Sequence, residues 1–156
     1  MEPYYIIEIL PALVANALPV LFGGGPALDG GLKFNDGRPV LGSHKTIRGA
    51  IVGIVGGAVM GLILSLWRPK FAAQGLLMGV GAMVGDALGS FIKRRLGIAE
   101  GKWTPLVDEL PFFYAALLFA SPLLPAGIFE PLNLVALSVL VIVLHEGTNY
   151  LVGRLR

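Results

Sequence analysis

The 156-residue chain contains no cysteine, which removes disulfide frameworks, Cys-ligated zinc, haem attachment and thiol nucleophiles together. Charge is also scarce. Asp, Glu, Lys and Arg make up 14% of the residues, against about 25% in an average globular protein. Hydrophobic residues reach 55%, and a soluble domain of this length needs a larger polar surface than the remainder supplies. The same count excludes a disordered chain. Lys and Arg (12) exceed Asp and Glu (10) by a net charge of only +2, with no basic tail or run, so a nucleic-acid partner is excluded as well. Basic residues are missing ahead of the first apolar stretch, which opens MEPYYIIE. A signal peptide needs them, so that stretch reads as a first membrane helix. What remains is the class of integral membrane proteins.

Five apolar stretches, roughly 4 to 22, 49 to 67, 72 to 92, 110 to 129 and 132 to 152, reach the length of about 17–25 residues that crosses a bilayer core. The connections over 23 to 48 and 93 to 109 are long and charged, whereas 68 to 71 and 130 to 131 are minimal. The long loops therefore share one side, and an odd number of spans adds the C-terminus to it. That side holds Lys33, Arg38, Lys45, Arg48, Lys93, Arg94, Arg95, Lys102, Arg154 and Arg156, against Arg68 and Lys70 opposite. The positive-inside rule makes it cytoplasmic. The expectation is an all-α integral membrane protein with one transmembrane domain over 1–156. It has five transmembrane helices, the N-terminus outside, the C-terminus cytoplasmic and two long cytoplasmic loops.

Gly49, Gly53, Gly57 and Gly61 in the second stretch and Gly81, Gly85 and Gly89 in the third recur at helical spacing. Small-residue stripes of this kind let helix backbones approach closely, and they suit a homodimer as well as a single bundle. No internal repeat is visible, so the inverted-repeat signature of many transporters is missing.

Polar groups inside spans are costly and mark function or interhelical contacts. They are Glu8, Asn16, Asp86, Ser90, His145, Glu146 and Asn149. All but Glu8 fall in the cytoplasmic halves, which describes a cup open on one side rather than a path through the membrane. Glu8 and Glu146 read as structural or interfacial. Asn16 serves equally as interhelical glue, and His145 with Asn149 as an interhelical pair. Asp86, Ser90 and Lys93 share a helix face at i, i+4 and i+7, joining a metal-binding group type to anion-binding ones.

The loops supply more of the same chemistry. The first is glycine-rich and ends Lys45-Thr46-Ile47-Arg48-Gly49, and the second ends Asp108-Glu109. Glycine-rich backbone turns N–H groups toward phosphate oxygens, although Ser43-His44 between Gly42 and Lys45 breaks the P-loop spacing. Carboxylates that bind Mg²⁺ beside cations are the equipment of phosphoryl or nucleotidyl transfer. The residues themselves thus imply a membrane enzyme acting on phosphate compounds.

Seven strings occur in order from Asn16 to Asn149. They are Asn16-Ala-Leu-Pro19-Val, Gly25-Pro-x-Leu-Asp29-Gly-Gly, Asp36-Gly-Arg38, Gly42-x2-Lys45-Thr-x-Arg48-Gly49, Gly85-Asp86-x3-Ser90-Phe-Ile-Lys93-Arg94-Arg95, Pro105-x2-Asp108 and His145-x3-Asn149. Together they closely resemble the CDP-archaeol synthases, archaeal cytidylyltransferases related to the bacterial CDP-diacylglycerol synthases. The resemblance implies a Mg²⁺-dependent, multi-pass enzyme of the cell membrane, working at the cytoplasmic face. It would transfer CMP from CTP to an isoprenoid ether-lipid phosphate, 2,3-bis-O-geranylgeranylglycerol 1-phosphate, with release of pyrophosphate. It also implies that Asp86 and Asp108 are the metal-associated carboxylates and that Ser90, Lys93, Arg94 and Arg95 handle phosphates, with Lys93 catalytic. Lys45 and Arg48 would form a second phosphate clamp, and Asn16, Asp29, His145 and Asn149 would line the nucleotide pocket. Glu109 stands where relatives commonly carry Gln. Two other readings compete. A CDP-alcohol phosphotransferase requires a motif that neither Asp29-Gly30 nor Asp36-Gly37 meets, and a small transporter or channel for a phosphorylated solute predicts no dependence on CTP.

Overall fold

The computed structural model describes residues 2–102 and 104–154, with side chains as far as residue 144. Its elements are five α-helices, α1 (Tyr4–Phe22), α2 (Ile47–Ser65), α3 (Lys70–Arg95), α4 (Pro105–Ala120) and α5 (Pro131–Arg154), with short 3-10 turns at Ser121–Leu123 and Ala126–Phe129. The helix ends follow from local chemistry. α2 starts at Ile47 because the Thr46 hydroxyl accepts the Gly49 N–H at 3.0 Å, an N-cap bond. α4 starts with Pro105, whose missing N–H costs nothing in a first turn. α3 runs three residues past its expected end, because Lys93, Arg94 and Arg95 in its last turn complement the helix dipole. Gly97, at φ 73°, then stops it: the Gly97 and Ile98 N–H groups donate to the Arg94 and Lys93 carbonyls at 3.2 and 3.0 Å, closing a Schellman turn.

The expectation of five spans is corrected. Among the described residues four helical segments are long and apolar enough to cross a membrane: Tyr4–Phe22, Ile47–Ser65, Lys70–Arg95 and Pro105–Leu123. The apolar part of α5 within them is the shorter Pro131–Leu144, and the sequence beyond brings in His145, Glu146, Asn149 and Arg154. Placing the termini on opposite sides rested on an odd number of spans, so it falls with the fifth.

α3 is the central helix, touching α1, α2 and α4, while α5 docks on α4. Its glycines form two seams. Gly75 and Gly79 face the Gly57–Gly61 turn of α2, where a Cβ on Gly57 would lie 2.8 Å from the Gly79 Cα. Gly81, Gly85 and Gly89 face the α4 backbone at Ala115, Pro111 and Val107. Both stripes are therefore engaged within the chain. Side chains exposed along α2 are Ile51, Val55, Val59, Leu62 and Ile63, an apolar outer face that suits lipid and not water. Glu8, at the far end from the cup, is buried and takes both the Lys70 ammonium, at 2.9 Å from each oxygen, and the Gln74 amide at 2.9 Å. That cluster ties α1 to α3, consistent with a structural Glu8.

Gly85→Ala tests the second seam. The added Cβ would meet the Phe112 Cα and the Pro111 carbonyl carbon, each 2.6 Å away, and backbone yields less readily than a side chain. Overpacking costs about 1–3 kcal/mol, and the upper end is expected here. The check is a lowered thermal unfolding midpoint in detergent, with a larger drop for Gly85→Val.

Candidate active site

The first long loop is zipped at its base. Leu28 N–H donates to the Lys45 carbonyl at 2.6 Å and Ile47 N–H to the Pro26 carbonyl at 3.1 Å, so residues 26–28 and 45–47 run antiparallel. This places Lys45 one residue before the α2 N-cap with its side chain toward α3. Its ammonium lies 2.6 Å from both Asp86 oxygens. Two turns further along α3, Lys93 donates to the Asp108 carboxylate at 2.8 and 3.0 Å and also to the Lys102 carbonyl. Asp108 stands in the first turn of α4 and takes the Thr104 N–H at 2.7 Å, a favourable place for negative charge. α3 thus contributes one acid and one base, matched by Lys45 from the first loop and by Asp108 from the start of α4.

These pairs line two adjoining cavities. The larger, about 680 Å³, is bordered by Asn16, Lys45, Asp86 and Asp108, the Gly23–Gly25 backbone, and apolar Pro19, Val20 and Leu21. The smaller, about 270 Å³, is bordered by Ser90, Lys93, Arg94, Glu100 and Lys102. His44, Lys45 and Asp108 border both. Of the residues expected at the site, the fold therefore gathers Asn16, Lys45, Asp86, Ser90, Lys93, Arg94 and Asp108.

Others stand apart. The Asp29 carboxylate takes the N–H groups of Gly31, Leu41 and Gly42 at 2.9, 2.8 and 3.4 Å, and so organises the loop rather than bordering either cavity. Arg95 pairs with Asp36 at 2.8 Å, donates to the Pro39 carbonyl at 2.5 Å, and stacks on Phe34 and Phe91. It latches the loop to α3, aided by Arg38, which donates to the Arg95 carbonyl at 2.8 Å. Arg48 is exposed and borders neither cavity. The side chains of His145 and Asn149 lie outside the described residues. Sequence reasoning missed His44, Glu100 and Lys102. The signal for His44 was its place before Lys45, seen only as a break in P-loop spacing; Glu100 and Lys102 sat in a loop with no motif.

Burial pushes the Asp29 carboxyl upward, but the Leu41, Gly31 and Gly42 N–H donors outweigh it and hold the group below its ordinary value. A lowered folded pKa stabilises at pH above the unfolded value of about 3.9, and that stability is lost as pH falls through the folded value. Asp29→Ala removes it at every pH. Amide exchange at Gly31 and Leu41 is expected to rise about tenfold, the equivalent of one charged hydrogen bond of about 1.5 kcal/mol, measured by hydrogen exchange. In the second loop Glu100 has its carboxyl held below the ordinary value, chiefly by the Ser43 hydroxyl of the first loop, despite partial burial.

Membrane-length helices that gather carboxylates and ammonium groups around adjoining cavities at one end define a membrane protein with a polar site suited to anionic ligands. A family model described as CarS-like, CDP-archaeol synthase, matches residues 3–156. The chain is 45% identical over 155 residues to a CDP-archaeol synthase of Hyperthermus butylicus, covering 97% of this chain and 90% of that protein. It is 48% identical over 144 residues to one of Methanopyrus kandleri, covering 90% and 82%. A solved structure described as an intramembrane enzyme for archaeal membrane lipids biosynthesis superposes with a TM-score of 0.86 at 38% identity, covering 94% of this chain and 92% of that one. The chain belongs to the CDP-archaeol synthase family.

Proposed function

We propose that this protein is a multi-pass membrane cytidylyltransferase that moves CMP from CTP to an archaeal ether-lipid phosphate, giving CDP-archaeol and pyrophosphate. Membership of the family carries the reaction. The observation that supports its location is the crossed pair of ion pairs, Lys45–Asp86 and Lys93–Asp108, around cavities that share Lys45 and Asp108. The lipid phosphate oxygen attacks the α-phosphorus of CTP, a new P–O bond forms, and the bond to the diphosphate breaks. The acceptor is already an anionic monoester, so no strong general base is required. The task is to hold two polyanions together, and Lys45, Lys93, Arg94 and Lys102 supply the positive charge.

Among the described residues no cluster of three or more His, Cys, Asp or Glu side chains forms a metal site. Asp86 and Asp108 nonetheless fit Mg²⁺, which is commonly held by one or two carboxylates and completed by substrate phosphates. Each carboxylate now faces a lysine ammonium, a cation in the position a metal would share. When bound, Mg²⁺ neutralises charge developing on phosphate oxygens. Asp86 and Asp108 would hold it, and Lys45 and Lys93 beside them would contact the phosphates.

Loops 23–46 and 96–104 and the adjoining helix ends carry Lys33, Arg38, Lys45, Arg48, Lys93, Arg94, Arg95 and Lys102, against Arg68 and Lys70 at the other end. This asymmetry supports a cytoplasmic site without any help from α5. The exposed side chains of Val20 and Leu21 at the edge of the larger cavity suit an amphiphile whose tails stay in lipid. The test is incubation of purified protein with Mg²⁺, CTP labelled in the cytidine, and the ether-lipid phosphate. Label entering the lipid phase with stoichiometric pyrophosphate supports the reading, and no transfer removes it.

A further inference from the structure

The smaller cavity has an unusual occupant at its rim. Glu100 Oε2 accepts both the Ser43 N–H, at 3.1 Å, and the Ser43 hydroxyl, at 2.6 Å, while Oε1 lies 3.9 Å from the Arg94 guanidinium. The carboxylate is pressed against Gly42, where a Cβ would stand 2.8 Å from Oε1 and 2.9 Å from the carboxyl carbon; only glycine leaves this cradle open. Arg94 is 7% exposed; its Nη2 donates to the Ala99 carbonyl at 3.2 Å, and its buried Nε has no hydrogen-bond partner among the described residues. A backbone N–H beside a positive-φ glycine, a hydroxyl and a buried guanidinium are the donors of an anion site. Here the anion is the chain's own.

We propose that the smaller cavity is a diphosphate-binding site whose rim Glu100 occupies when no polyanion is bound, its carboxylate standing where a phosphate oxygen would sit. This rests on the cytidylyltransferase reading for the source of the diphosphate, either the β,γ-phosphates of the nucleotide or the pyrophosphate released from it. The cavity's 270 Å³ is room for about nine waters at about 30 Å³ each, and the non-hydrogen atoms of a diphosphate number about the same. Lys93 and Lys102 border it together with Arg94, so an entering diphosphate finds cations on several sides. Glu100 is the anion in direct contact with the Ser43 donors and must leave for a phosphate oxygen to take its place, whereas Asp108, which also borders the cavity, is paired with Lys93. Its departure also unties Ser43 from the second loop, so polyanion binding and release are coupled to the contact between the two long loops. Without a ligand, that contact ties the two loops together beside Gly42.

The experiment titrates inorganic pyrophosphate, without CTP, into the full-length protein in detergent by calorimetry at fixed salt. Wild type is compared with Glu100→Gln and Glu100→Ala. Both substitutions are expected to tighten pyrophosphate binding roughly three- to tenfold, the scale of a partly exposed charge contact. Binding of glycerol 1-phosphate, the bare headgroup of a lipid phosphate, is expected to stay unchanged. Unchanged or weaker pyrophosphate binding in both variants overturns the proposal, as does tightening for glycerol 1-phosphate alone. CMP transfer by the wild type is assayed in parallel. Its absence defeats the cytidylyltransferase reading, whereas the pyrophosphate comparison judges the role of Glu100 on its own.

Discussion

Asp86→Asn is expected to abolish CMP transfer in a protein that still folds. The amide keeps the shape of the side chain and one oxygen able to accept from the Lys45 ammonium, which now bridges both carboxylate oxygens at 2.6 Å. What is lost is the negative charge. Asp86 lies on α3 between Gly85 and Gly89, both pressed against α4 backbone, so its Cα has little freedom to shift and compensate. Removing a carboxylate that holds a catalytic cation forfeits several kcal/mol of charge stabilisation, and each 1.36 kcal/mol is a factor of ten in rate. A fall of roughly a thousandfold or more in kcat follows, with the unfolding midpoint close to wild type. Asp108→Asn is expected to do the same through a second carboxylate of the larger cavity. Turnover within about threefold of wild type in the folded Asp86→Asn protein would remove Asp86 from the reaction. A collapsed unfolding midpoint would instead make Lys45–Asp86 a structural pair.

The membrane class and the polar cup were legible because they depend on one-dimensional quantities. Hydropathy marks a span, and i, i+4, i+7 spacing puts Asp86, Ser90 and Lys93 on one face whatever surrounds the helix. The glycine stripes were equally readable as seams, though not which helix each would meet; Gly81, Gly85 and Gly89 found α4, while Gly57 and Gly61 found α3. The count of spans was less secure. Apolar content alone made 132 to 152 look equivalent to the other stretches, but its second half gathers His145, Glu146, Asn149 and Arg154. In the structure the apolar part of α5 within the described residues ends at Leu144.

Pairing across loops was the part sequence could not reach. Nothing in the spacing says that Lys45 meets Asp86 or that Lys93 meets Asp108, since each contact joins elements whose approach is set by packing. The same limit explains why Arg95 and Asp29 read as ligand-binding groups. A guanidinium beside Lys93 and Arg94 has the right chemistry for phosphate, yet Arg95 turns the other way and grips Asp36, the Pro39 carbonyl and two phenyl rings. Its contribution is to hold the first loop against α3, which keeps Lys45 within reach of Asp86. The polar side chains here are divided between residues that border the cavities and residues that fix the loop carrying them.

Lys93→Ala separates those two roles at the centre of the site, and its expected effect is a fall of roughly 10²–10³ in kcat/KM, the loss from removing one preorganised donor. Lys93 is one of two buried cations among the described residues and is bound to both the Asp108 carboxylate and the Lys102 carbonyl. Its loss therefore strands Asp108, which among the described residues keeps the Thr104 N–H. Part of any defect then comes from an uncompensated carboxylate rather than from missing phosphate stabilisation. The double variant Lys93→Ala/Asp108→Ala resolves the two, because it removes both members of the pair. If Lys93 were only a structural counter-ion, the second substitution would recover stability and activity together. If Lys93 and Asp108 work on the reacting phosphates, it recovers stability while transfer stays at least as low as in the single variant. The cycle, measured once in unfolding and once in kcat/KM, is expected to show recovery by the second substitution in the first and no recovery in the second.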